Sequence, residues 1–140
     1  MPADKELVNR KITLINEDLK SLKLLSKVSL KTYLSKTDYE VLAERYLERI
    51  IGRMIDINYH ILSENDNKIP VDFYTSFIEL GKKKYLSLKL AKTMANSAGL
   101  RNRLAHEYDE IDPKKVYGAV KSCLKDTPKY LKSIIKSLGL

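Results

Sequence analysis

The chain of 140 residues has one cysteine, no tryptophan, two histidines, five glycines and four prolines. One cysteine cannot close a disulfide within the chain, and Cys123, His60 and His106 are too few to make a four-ligand zinc site. In VKSCLK, Cys123 reads as helix packing rather than as a nucleophile. Scarce Gly and Pro argue against a turn-rich strand fold, so the composition points to an all-α domain. Long apolar runs are also missing: charged residues interrupt every few positions, so no stretch is fit to span a bilayer. The start MPADKELVNR lacks the apolar segment of a signal peptide. The expectation is a soluble chain that stays in the cytoplasm. Residues 1–140 read as a single domain, large enough to bury roughly two-thirds of its unfolded surface in one core.

A further absence is local. Between Glu79 and Glu107 there is no acid, while Lys82, Lys83, Lys84, Lys89, Lys92, Arg101 and Arg103 bring seven positive charges. With a net charge of +8, this segment points to a polyanionic partner, although a solvated basic face is the plainer reading of charge alone. Lys121, Lys125, Lys129, Lys132 and Lys136 form a second basic stripe, read first as a solvated face and second as an RNA-contacting surface.

Apolar residues three or four apart predict a helix over 4–28. Thr37 and Glu40 form a capping-box pattern opening a helix to about residue 63. Its apolar positions cover an arc of roughly 220°, about twice what a one-sided surface helix needs. That excess predicts burial on two sides, one against the chain itself and one against a second copy. The remaining arc holds Arg45, Arg49, Arg53, Asp56 and His60, either an ion-pair stripe or, for Arg53, Asp56 and His60, a second layer behind an active site. Asp72 caps a short helix that Gly81 ends, and another helix runs over 84–98 until Gly99 interrupts it. Asp112-Pro113 starts the last helical region, and Thr127-Pro128 repeats the device, dividing that region into 113–125 and 128–138.

The chemistry concentrates in Arg101-Asn102-Arg103-Leu104-Ala105-His106-Glu107-Tyr108. A guanidinium is a permanent planar fork matched to phosphate, and an imidazole, with an ordinary pKa of about 6.5, exchanges protons near neutrality. Together they suit phosphodiester cleavage. On one straight helix Arg101 and His106 project roughly 140° apart. Either the helix breaks inside the motif, or the working site combines two chains.

Arg101-x4-His106-x-Tyr108 resembles the R-x4-H-x-Y signature of HepT toxins, within the wider HEPN ribonucleases that carry R-x4–6-H. The segments YLERIIGRMIDINYHILSE and PVDFYTSFIEL are similar to the HepT pattern in order and spacing, and the resemblance covers roughly residues 5 to 135. It implies an up-and-down bundle that forms a homodimer with the two motifs facing across a cleft. It implies metal-independent cleavage of RNA, tRNA above all, by attack of a ribose 2′-hydroxyl, with no cofactor. His106 then serves as general acid/base and Arg101 stabilises charge on the phosphorane, while Asn102 orients the phosphate. Arg103, Lys82, Lys83 and Lys84 become RNA-backbone contacts. The resemblance also implies a minimal nucleotidyltransferase antitoxin of the MntA kind, which AMPylates the signature tyrosine, here Tyr108.

Two other readings stand beside this one. A HEPN domain could keep the dimer and bind RNA or scaffold a complex without cutting, but the intact Arg101, Asn102 and His106 oppose that. A basic helical DNA-binding regulator fits the charge, but no helix-turn-helix pattern is visible.

Overall fold

The computed structural model describes residues 2–107 and 110–140, and among them the regular elements are helices. In order they are α1 (Lys5–Ser26), α2 (Leu30–Ser35), α3 (Thr37–Asp66), α4 (Phe73–Lys82), α5 (Leu88–His106) and α6 (Pro113–Leu138). Helix starts follow local chemistry: Asp4, Asp72, Ser87 and Asp112 each accept a first-turn backbone N–H, at 3.1, 2.7, 3.1 and 2.9 Å. Left-handed Gly139 closes α6. Among the described residues no helix is long and apolar enough to cross a membrane.

Helix α3 is the centre of the bundle and packs against all five others. Its fully buried Leu47, Ile50, Ile57, Ile61 and Leu62 therefore face different neighbours. Most of the wide apolar arc is filled within one chain, with Leu42 near its start left 44% exposed, so burial within the chain accounts for most of its width. Inside this core Asn58 donates to Ser76 Oγ at 3.0 Å, and the Tyr130 hydroxyl lies 2.5 Å from Asn58 Oδ1 and 3.1 Å from the Met54 carbonyl. Ser76 in turn donates to the Phe73 carbonyl at 2.7 Å. This relay satisfies polar groups that would each cost about 1–3 kcal/mol if left unpaired, and it ties α4 to α3 and α6. Helices α4 and α5 lie against each other closely enough that a Cβ on Gly81 would stand 2.6 Å from the Ala91 Cβ.

The structure corrects four local expectations. Helix α6 runs unbroken through Pro128, which is exposed while Thr127, Tyr130, Leu131 and Ile134 are buried. Burial of that continuous face outweighs the roughly 3 kcal/mol that an interior proline costs. Gly99 likewise does not interrupt α5, which continues to His106; a lone glycine costs only about 1 kcal/mol, and Ala98 and Leu104 are buried on either side of it. Lys83 to Ser87 form the α4–α5 turn, so α5 begins at Leu88 rather than at 84. Finally, the short helix α2 stands where the sequence pattern predicts no helix. It ends one residue before α3, so the extended Lys36 stands at the N-cap and Thr37 lies inside the helix, where it cannot form the capping box.

Candidate active site

Residues Arg101 to His106 of the motif occupy the last turns of α5. Buried Ala91, Met94, Ala95, Ala98 and Leu104 fix this helix along its length. Around the axis, Arg101 lies roughly 60° to one side of Ala98 and His106 roughly 80° to the other. The helix is continuous from Arg101 to His106, so the motif contains no break that would bring the two side chains together. Arg101 is partly buried, while Asn102, Arg103 and His106 are exposed.

Arg101 is held by an aromatic face. Its guanidinium carbon sits 5.3 Å from the centroid of Phe73, the first residue of α4, and Tyr59 meets Phe73 edge-on at 6.1 Å. Such a cation–π contact contributes about 0.5–1 kcal/mol at a partly exposed site, and it leaves the guanidinium donors unspent. Phe73 is fixed from behind by its carbonyl bond to Ser76, and from the front by Asp72, which caps α4. The Thr75 hydrogen bonds hold the Asp72 carboxyl below the usual carboxylate range. No carboxylate among the described residues lies within 4.0 Å of Arg101, Arg103 or His106. The end of α5 thus presents two guanidiniums, an amide and an imidazole with no carboxylate within 4.0 Å among the described residues.

The other sequence candidates fall elsewhere. Arg53 pairs with Asp18 at 2.6 Å and Asp56 with Lys11 at 3.0 Å, while His60 Nε2 accepts the Asp4 backbone N–H at 2.8 Å. All three are tied to α1 or its cap, as an ion-pair stripe would be, whereas Arg101 is tied to α4. Lys82, Lys83 and Lys84 lie at the opposite end of α5 from His106. Tyr108 lies outside the described residues. Burial pushes the Cys123 thiol up to about 11, which keeps it protonated and weakly nucleophilic. Among the described residues no three His, Cys, Asp or Glu side chains converge as metal ligands.

Residues 15–134 match the family model described as Ribonuclease HepT-like. The chain belongs to the HepT-like ribonucleases. It is 41% identical over 128 residues to the tRNA nuclease HepT of Aphanizomenon flos-aquae, covering 91% of this chain and 87% of that protein. The HepT-like fold also superposes on a tri-AMPylated Shewanella oneidensis HEPN toxin solved with its MNT antitoxin. That match has a TM-score of 0.86 at 22% identity, over 95% of this chain and 99% of that one. YutE, a cytosolic Bacillus subtilis protein of unknown function, matches with a TM-score of 0.77 at 16% identity, over 96% and 92% of the two chains. Membership makes this HepT-like chain an endoribonuclease. What the sequence did not disclose is the support of Arg101: Phe73, Tyr59 and the Asn58–Ser76–Tyr130 relay. The only signal for Phe73 was its place just after a capping aspartate.

Proposed function

We propose that this HepT-like ribonuclease is the toxin of a toxin–antitoxin pair and cuts tRNA, without a metal, in a cleft shared by two copies of the chain. The observation that carries the reading is the unbroken helix from Arg101 to His106, which points the two groups apart in one chain. A facing motif from a second copy supplies the missing partner for each. The ribose 2′-oxygen attacks the adjacent phosphorus while one His106 takes its proton. The bond from phosphorus to the 5′ oxygen breaks, and that oxygen leaves as a hydroxyl with the proton that the same His106 returns, so one His106 facing the other copy's Arg101 completes a turn. The product is a 2′,3′-cyclic phosphate. Arg101 neutralises charge gathering on the phosphorane, Asn102 orients a non-bridging oxygen, and Arg103 holds the neighbouring backbone. The 41% identical relative described as a tRNA nuclease supports the substrate class.

The antitoxin is a minimal nucleotidyltransferase. The Tyr108 oxygen attacks the α-phosphate of ATP, pyrophosphate leaves, and AMP stays on the ring. A phosphodiester two residues from His106 competes with RNA for the same cations. The fold shared with an AMPylated toxin in complex with an MNT antitoxin supports this arrangement. The test incubates purified protein with tRNA in EDTA, using wild type, Arg101→Ala, His106→Ala and an equimolar mixture of the two variants. Cyclic-phosphate fragments from wild type, none from either variant, and partial recovery in the mixture are expected. No cleavage by unmodified wild-type dimer would leave an RNA-binding HEPN domain; active wild type with no recovery in the mixture would refute the shared cleft.

A further inference from the structure

At the end of α5 remote from His106, the α4–α5 turn and the last turns of α6 enclose an open cleft of about 760 Å³. Lys82, Lys84 and Lys136 line it together with Ser87, Ser133 and Ser137, and among the described residues no carboxylate does. Lys82 lies 3.6 Å from Glu79, but Lys84 and Lys136 have no carboxylate within 4.0 Å among the described residues. Both lining hydroxyls on α6 are committed: Ser133 donates to the Lys129 carbonyl and Ser137 to that of Tyr85, each at 3.0 Å. The first N–H group of α5, on Leu88, which lines the cleft, has no acceptor among the described residues. The lining therefore offers donors and positive charge to an acceptor-rich anion.

We infer that this cleft is a second RNA-backbone site, which takes phosphates of the substrate far from the bond being cut. The inference rests on the ribonuclease reading for its substrate. An acidic protein fits the cleft less well, because it holds no arginine fork, and its one aromatic, Tyr85, has its hydroxyl engaged with Asn65 and Asp66. Lysine ammoniums and a helix N-terminus are the usual phosphate partners. Of the α6 stripe, Lys136 alone enters the cleft. From Leu88 to His106 the helix rises about 27 Å. That length equals about eight stacked base steps at roughly 3.4 Å each. A substrate reaching both sites spans at least that length, as the arm of a folded tRNA does.

The test measures tRNA affinity by filter binding across a salt series, with wild type and a Lys84→Gly/Lys136→Gln variant. Glycine suits position 84, where lysine already holds a left-handed φ of 68°, so the fold is kept. A control, Lys20→Gln/Lys23→Gln, removes the same charge from the exposed face of α1. The cleft variant is expected to bind tRNA about tenfold more weakly, with a salt slope shallower by roughly one per lysine. The control keeps the wild-type slope. Equal losses in both pairs, or an unchanged slope with weakened antitoxin binding, would overturn the inference. Wild type that binds tRNA through the cleft but cuts nothing in EDTA supports the second site while refuting the ribonuclease reading.

Discussion

Arg49 and Arg53 on α3, and Arg101 and Arg103 on α5, are two guanidinium pairs in opposite surroundings. The first pair converges on one carboxylate, Asp18, at 3.1 and 2.6 Å, and Asp18 is only 5% exposed. The second pair has no carboxylate within reach among the described residues, and its inner member rests on an aromatic ring. A cation neutralised by its own chain holds helices together, and its desolvation is already compensated. A cation left uncompensated is available to an external phosphate. Both clusters look alike as sequence, and only the facing element separates them.

Substitutions at the two clusters should divide cleanly between activity and stability. His106→Ala and Arg101→Ala are expected to lower tRNA cleavage by about 10²–10⁴-fold with urea midpoints near wild type, as gel assays and denaturation would check. Arg53→Ala should do the reverse, costing about 2 kcal/mol in urea unfolding while cleavage changes less than about threefold. The figure is below that of an isolated buried pair because Arg49 still reaches Asp18. A large loss of cleavage by folded Arg53→Ala would erase the contrast and return α3 to the active site.

Phe73→Leu sharpens the contrast within the second cluster. It keeps an apolar contact but removes the π-face, and is expected to slow cleavage about three- to tenfold, mainly through kcat, with about 1 kcal/mol lost in stability. The smallest effect concerns acid. Lys68, at 2.9 Å, holds the buried Glu79 carboxyl below its ordinary value. Its contribution is therefore present above the unfolded pKa of about 4.3 and fades as pH falls through the depressed value. Thermal scans from pH 6 to pH 3 should show wild type losing stability at the acid end, and Glu79→Gln losing less.

Much of the scaffold was legible along the chain. The α1 and α3 periodicities and the caps at Asp72 and Asp112 were readable because those signals are local. Pro128 and Gly99 misled for the complementary reason: each marks a local cost, and burial of Tyr130, Ile134 or Leu104 by other helices overrides it. Helix α2 is not legible in the sequence because six residues with one buried tyrosine carry too little period. At the site, the motif named Arg101 and His106, but a helical wheel cannot say what lies across from it. For that reason Arg53, Asp56 and His60 stood with two meanings, and the Phe73 face under Arg101 had none until α4 and α5 packed.

The close approach at Gly81 has a bearing on mutational tolerance. In a saturation library selected for folded protein, position 81 should return glycine almost alone, because even one methyl there meets the Ala91 Cβ at 2.6 Å in two packed backbones. Gly52 and Gly118, helical and with nothing within 4 Å of an added Cβ, should accept alanine and gain about 0.5–1 kcal/mol each. These three of the four helical glycines thus differ in how freely the chain can drift, and the constrained one stands where the two helices meet.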